Sequence, residues 1–207
     1  MPAIIQHKYP TRGGVPSCAR YTKKAWGKQL QTDSPVGFGR EVLLNELECW
    51  VQENNILPIY QTGFRPRSST TDNIIALSFL TDQAKKPQSR PLYCCLVDYS
   101  AAFDSVDRLI LWRKLEKWGI PILLQAAIKS LYTKTWVRVR LAHPFLTTEI
   151  STSRGLKQGC VLAPLLFNLY TADLGPSLAG ASMLTPKIGQ RQLPILQYAD
   201  DLVLLDH

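Results

Sequence analysis

Three apolar runs of strand length abut aspartates, and this restricts the fold of the 207-residue chain more than any other feature. Residues 92–97 (Leu-Tyr-Cys-Cys-Leu-Val) lead straight into Asp98, the continuous pattern of a strand buried on both faces. Residues 193–198 and 202–205 are separated by Ala199-Asp200-Asp201, which predicts a tight hairpin with two carboxylates at its tip. If these strands are neighbours in one sheet, three acids converge on one edge. Crowded carboxylates raise one another's pKa. A hard divalent cation relieves that repulsion, and carboxylate with phosphate oxygens suits Mg²⁺. Two such ions about 3.5–4 Å apart activate a hydroxyl and stabilise a leaving oxygen in phosphoryl displacement. Adjacent aspartates are also ordinary turn formers, so spacing alone leaves a structural reading open.

Between these runs the periodicity is helical. Leu43, Leu47, Trp50, Val51 and Asn54 share a face and predict an amphipathic helix over about 40–54. Ser69-x-x-Asp72 forms a capping box that opens a helix to about residue 84, with Ile74, Ile75, Leu77 and Leu80 offered to the core. Residues 104–118 repeat Val106, Leu109, Ile110 and Leu115 at helical spacing, Gly119 is placed as a C-cap, and Pro121 opens a further helix. Asp104 is placed to cap the helix that follows it. Residues 136–141 alternate like a half-exposed strand, with the Thr-rich stretch 147–152 as hairpin partner. Residues 162–174 read as a helix with Pro164 in its first turn. Strands with helices between them, in no fixed βαβ repeat, indicate an α+β fold.

The chain carries a formal net charge of +8, concentrated at one end: residues 1–40 hold seven Lys/Arg against one acid, Asp33. A basic arm of this kind suits a polyanion such as nucleic acid; a solvated tail is the alternative. Residues 1–39 show no period and read as a divergent, poorly ordered segment ahead of a domain over 40–207. No apolar run reaches the roughly 18–20 residues of a membrane span, and the N-terminus lacks a secretory signal. The expected setting is intracellular, nuclear or cytoplasmic, without a membrane partner. Five cysteines without a Cys-x-x-Cys pair argue against a disulfide framework or structural zinc, and three of them read as small core residues.

Four blocks then carry a resemblance: Gln61-Thr-Gly-Phe-Arg-Pro-Arg-Ser-Ser-Thr-Thr-Asp-Asn73; Leu96-Val-Asp-Tyr-Ser-Ala-Ala-Phe-Asp-Ser-Val-Asp107; Gly155-Leu-Lys-Gln-Gly-Cys-Val-Leu-Ala-Pro-Leu-Leu-Phe-Asn168; and Tyr198-Ala-Asp-Asp201. In order and approximate spacing the chain resembles the reverse transcriptases of non-LTR (LINE-type) retrotransposons, and more distantly group II intron enzymes. The resemblance implies a right-hand polymerase fold, with fingers at about 40–91 and an incomplete palm at about 92–207. A small antiparallel sheet would be backed by helices. It implies an RNA-directed DNA polymerase that uses two Mg²⁺ ions, with Mn²⁺ as a substitute. An RNA template, a DNA primer and a dNTP would be its partners.

Position by position, the resemblance makes Asp98, Asp200 and Asp201 the catalytic, metal-binding carboxylates. Phe103 matches the aromatic under the incoming sugar, where a bulky ring would clash with a ribose 2′-OH. Tyr99 lies along the triphosphate path, Gln158 and Gly159 match the loop contacting nucleotide and template, and Arg65 is a nucleotide-binding candidate. A structural ion pair of Arg65 or Arg67 with Asp72 is the rival reading there. Arg67, Arg154 and Lys157 are candidate phosphate contacts, and equally ordinary solvated charges. Trp136, Arg138 and Arg140 offer a cationic strand face that reads more simply as exposed sheet. No block like Asn-Tyr-Arg-Pro-Ile-Ser aligns upstream of residue 40, and the chain stops six residues after Asp201. The expectation is therefore a copy truncated after Tyr-Ala-Asp-Asp, with its thumb missing. An inactive remnant that at most binds nucleic acid is the alternative function. A metal-dependent hydrolase with clustered aspartates is a third, opposed by the order of the blocks.

Overall fold

Leu43, Leu47 and Val51 lie on one stripe of helix α1 (Phe38–Glu53), and all three are buried. Each such side chain contributes roughly 1.5–3 kcal/mol by leaving water, so the stripe fixes which way the helix faces. The computed structural model describes residues 38–133, 135–137, 150–179 and 184–207. Of residues 1–39, read as a loose arm, 38 and 39 belong to α1, while 1–37, like the Arg138–Arg140 strand face, fall outside the described residues.

Helix α2 (Thr70–Ala84) starts where the capping box places it: the Asp72 carboxylate accepts the Ser69 backbone N–H at 2.8 Å. Its predicted core face holds for Leu77 and Leu80 but not for Ile74 and Ile75. Ile74 and Ile75 are each 62% exposed, and only Leu80 is buried outright. The helix is covered along a single line, through Asn73, Ala76, Leu77 and Leu80, so apolar residues off that line stay in solvent. Strand β1 (Tyr93–Val97) is a second correction: four of its five residues are exposed, and Leu96 reaches 80%. It sits at the edge of the sheet, which an apolar run does not reveal. Cys94 and Cys95 are therefore exposed, against the expectation of core cysteines, whereas Cys160 is buried.

The predicted helix over 104–118 divides into α3 (Ala102–Ser105) and α4 (Arg108–Lys117). Asp107, not Asp104, is the cap: its carboxylate accepts the N–H groups of Leu109 and Ile110 at 2.8 and 3.2 Å. That start sets the phase, so Arg108, Leu111 and Leu115 point inward while Leu109 and Ile110 remain exposed. At the far end Gly119 has φ +69°. Its N–H bonds Glu116 O and that of Ile120 bonds Leu115 O, the two closures of a Schellman motif. Pro121 then precedes α5 (Ile122–Ser130). A short pair, β2 (Trp136–Val137) with β3 (Ile150–Ser151), follows, and then α6 (Ala163–Thr171) with Pro164 in its first turn. A break at residues 172–173 separates α6 from α7 (Leu174–Ala179).

Strands β4 (Lys187–Ile188) and β5 (Arg191–Gln192) form a small hairpin that periodicity does not suggest. After it come β6 (Ile195–Tyr198) and β7 (Asp201–Asp206), the predicted hairpin. The main sheet is antiparallel in the order β1-β7-β6, and residues 60–62 run parallel beside β6 through a bridge between Gln61 and Gln197. Two cores result. Leu47, Leu111, Leu115, Ile128, Leu166 and Leu169 close the helical one. Leu80, Ile195, Leu196, Leu202 and Leu205 close the one under the sheet. Tyr99, one residue past Asp98, packs against both.

Candidate active site

Register decides where the acids lie. β1 pairs with β7 so that Val97 faces Leu202, and continuing that pairing one step sets Asp98 opposite Asp201. β6 and β7 close on the pair Tyr198–Asp201, leaving Ala199-Asp200 as a two-residue turn. Asp201 is thus the first residue of β7 and not part of the tip. Asp98, Asp200 and Asp201 share one end of one sheet. Asp98 and Asp201 are exposed and Asp200 is half-buried. No hydrogen bond or ion pair among the described residues engages any of the three carboxylates. This oxygen-only donor set, unclaimed by protein donors, is the kind a hard divalent cation prefers. Among the described residues no three His, Cys, Asp or Glu side chains are drawn into a closed metal cage. The backbone brings the acids to one edge of the sheet.

The turn itself is unusual. Ala199 has φ +57°, the left-handed region that disfavours a side-chain-bearing residue. Two buried amides hold it there. Gln61 Oε1 accepts the Ala199 N–H at 3.1 Å, and Gln61 Nε2 donates to Ala199 O at 3.3 Å. Gln197 Nε2 donates to the same carbonyl at 2.9 Å and to Thr171 Oγ1 at 3.0 Å. Gly63 passes so close that a Cβ on it would stand 2.2 Å from Ala199 N, and Asn168 Nδ2 donates to Gly63 O at 2.8 Å. Gln197 is a polar residue within the mostly apolar run 195–198, and the fold buries it completely, a signal open to sequence reading. Nothing local distinguishes Gln61.

The proposed sugar-facing ring, Phe103, is half-buried and stacked on Phe167 at 4.7 Å, with Phe64 edge-on at 6.3 Å. Offset aromatic pairs of this kind hold a ring's orientation. Phe64 is 48% exposed and has φ +54°, so it stands out from the loop beside Phe103. Tyr99 is partly buried; burial first, and neighbouring Tyr170 second, raise its hydroxyl above the ordinary value.

Arg108 organises the loop predicted to meet nucleotide and template. The residue is buried, and its guanidinium donates to the carbonyls of Gly155 (2.7 Å), Thr152 (2.9 Å) and Arg154 (2.8 Å), and to Thr135 Oγ1 (2.8 Å). Five donors in a rigid fork can tie several strands of backbone at once. Asp104 also serves this loop: both its oxygens accept Gln158 Nε2, at 3.1 and 3.2 Å. Gly159 has φ +75° with open space where a side chain would be, and Gln158 beside it is exposed. Lys157 and Arg108 flank the Tyr132 ring at 5.7 and 5.1 Å. Burial lowers Lys157 from its ordinary value, and Arg40 and Arg108 lower it further, against an opposing effect of Cys160.

Arg65 does not pair with Asp72. Its Nη1 donates to Pro58 O at 2.7 Å and Gln61 O at 3.3 Å, and burial pulls its pKa down. Arg67 is exposed at φ +61°, and Arg154 is exposed next to the Arg108 anchor.

Residues 40–206 match the protein-family model described as reverse transcriptase (RNA-dependent DNA polymerase). Over 165 residues the chain is 30% identical to the "Retrovirus-related Pol polyprotein from type-1 retrotransposable element R2" of Popillia japonica, covering 80% of this chain and 22% of that protein. It is 31% identical over 166 residues to the "Probable RNA-directed DNA polymerase from transposon BS" of Drosophila melanogaster, covering 79% and 17% respectively. The chain thus spans about a fifth of the length of these curated relatives. An apo telomerase structure from Candida Tropicalis, truncated from its C-terminal domain, superposes with a TM-score of 0.54 at 13% identity. That match covers 89% of this chain and 36% of the telomerase chain, and it is a likeness of fold. No helix among the described residues is long and apolar enough to cross a membrane.

Proposed function

This chain belongs to the reverse transcriptase family, in its non-LTR retrotransposon branch, and on that premise we propose that it forms the fingers and palm of an RNA-directed DNA polymerase. Residues 40–91 would be fingers and 92–207 palm. The reaction would be attack of a DNA primer 3′-OH on the α-phosphate of a dNTP, directed by an RNA template, with pyrophosphate released. One observation supports the reading: the β1–β7 ladder ends on Val97 and Leu202, the residues next to Asp98 and Asp201, beside the turn that bears Asp200.

Asp98, Asp200 and Asp201 would hold two Mg²⁺ ions, or Mn²⁺ in their place, closing together around them. When bound, the ions would lower the pKa of the primer hydroxyl and neutralise charge on the leaving phosphates. Phe103, held by Phe167, screens the sugar against a 2′-OH. Tyr99 carries the triphosphate path between the two cores. Gln158, steadied by Asp104, and the backbone of Gly159 position the nascent pair. Arg65 orders the loop that presents Phe64 to the nucleotide. Arg67, Arg154 and Lys157 meet phosphates of template or primer by charge.

The test is incorporation of labelled dTTP on poly(rA)–oligo(dT) with Mg²⁺, using the chain as it stands. Incorporation that disappears in Asp200→Ala and Asp98→Ala supports the polymerase. Salt-sensitive binding to the same duplex without incorporation would replace it with a nucleic-acid-binding remnant.

A further inference from the structure

We propose that Gln61 and Gln197 are positioning residues that set the direction of Asp200 and Asp201 by clamping the backbone between their strands; this rests on the polymerase reading of those acids. Both side chains are 1% exposed, in surroundings where an apolar residue would satisfy packing alone. Their amides instead converge on one residue, Ala199, occupying its N–H once and its carbonyl twice. Gln61 Oε1 also accepts the Gly63 N–H at 2.9 Å, and Asn73 Nδ2 donates to Gln197 O at 3.1 Å. The turn is therefore seated on the 61–63 segment, and Gln61 lies 138 positions from Ala199 in the chain. A left-handed alanine persists only where its surroundings over-determine it. Buried amides that converge on one residue supply direction, which apolar packing does not, even though Gln197 Oε1 itself has no hydrogen-bond partner among the described residues.

The geometric consequence is specific. Asp200 immediately follows the clamped residue, and Asp201 begins β7 opposite Tyr198. The clamp opposes any change of φ at Ala199, so the two carboxylates keep one heading relative to Asp98.

The experiment compares wild type with Gln61→Met, which keeps the length of the side chain and removes its amide, and with Gln61→Glu, which keeps an oxygen to accept from Ala199 and Gly63. The first readout needs no activity: amide hydrogen exchange. The Ala199 N–H is expected to be protected in wild type and to exchange roughly tenfold or more faster in Gln61→Met, with partial recovery in Gln61→Glu. Amides of the β1–β7 ladder should keep their protection. The second readout is kinetic: kcat for dTTP incorporation should fall about 10–100-fold with KM for dTTP little changed, and the Mg²⁺ concentration for half-maximal rate should rise. Unchanged protection of Ala199 in Gln61→Met overturns the clamp, as does loss of protection spread evenly over the whole sheet. Should Gln61→Met not fold, the wild-type chain decides: an Ala199 amide that exchanges like an unbonded, exposed one overturns it. If wild type incorporates no dTTP, the polymerase reading fails by itself, and the exchange result still reports on the clamp.

Discussion

At Gly63 a single methyl group has nowhere to go, because the atoms in its way are the backbone of the turn between the paired aspartate strands. Gly63→Ala is expected to cost about 1–3 kcal/mol by overpacking, measured by urea unfolding, and to lower incorporation further than its stability loss explains. Phe167 has a different role: it is buried and supports Phe103 from beneath. Phe167→Leu should therefore leave polymerisation of dTTP largely intact and reduce its discrimination against UTP by about tenfold, read as the ratio of kcat/KM values. At this scale the sequence disclosed the chemistry-bearing residue types, since aspartates after apolar runs stand out without coordinates. It did not disclose Gln61 or Arg108. Their importance lies in partners far along the chain, and neither residue differs locally from an ordinary polar side chain.

Individual elements were most legible where local hydrogen bonding fixes them. The Ser69–Asp72 box and the Gly119 closure lie where their spacing indicates, because both are satisfied within one turn of backbone. Faces were less legible. Ile74, Ile75 and the β1 residues have the apolar character of a core, and exposure depends on whether another element covers them. Asp107→Ala removes two accepted hydrogen bonds from the start of α4, and the loss is expected at about 1 kcal/mol in urea unfolding. The adjoining Arg108 should also loosen its hold on residues 152–155, seen as faster exchange of the Gly155 amide. Tyr132 supplies a pH test for the same region. Burial pushes its phenol from 10.0 up to about 12, with Cys160 adding to the rise and Arg108 and Arg40 opposing it. The folded state therefore keeps a proton that the unfolded state has lost. That contribution to stability is complete below about pH 10 and is lost as pH climbs to about 12. Tyr132→Phe should abolish this part of the alkaline loss, so the stability difference between the two proteins changes over that interval in unfolding titrations.

For the molecule as a whole, two cores meet at Tyr99, and the acids lie on the sheet core's rim. The α+β class and the β6–β7 hairpin are readable from pattern, because strand length, tight turns and helical period are local quantities. Strand order, with β1 at the edge, depends on tertiary pairing that no window of sequence contains. Charge is a whole-molecule quantity too, and the basic excess in residues 1–40 suggests a polyanion partner. A chain lacking residues 1–37 should bind poly(rA)–oligo(dT) more weakly and with a shallower salt dependence, by up to about 0.9 in log–log slope for each phosphate that the arm neutralises. An unaltered slope would assign the arm no part in binding. The bond between Gln61 and Ala199 also dictates an order of assembly. During synthesis the glutamine leaves the ribosome long before the alanine exists, so the hairpin reaches its working shape only after its distant seat has already formed. Such non-local closure is slow. The heading of Asp200 and Asp201 is then expected to be fixed later than the local turns and helix caps.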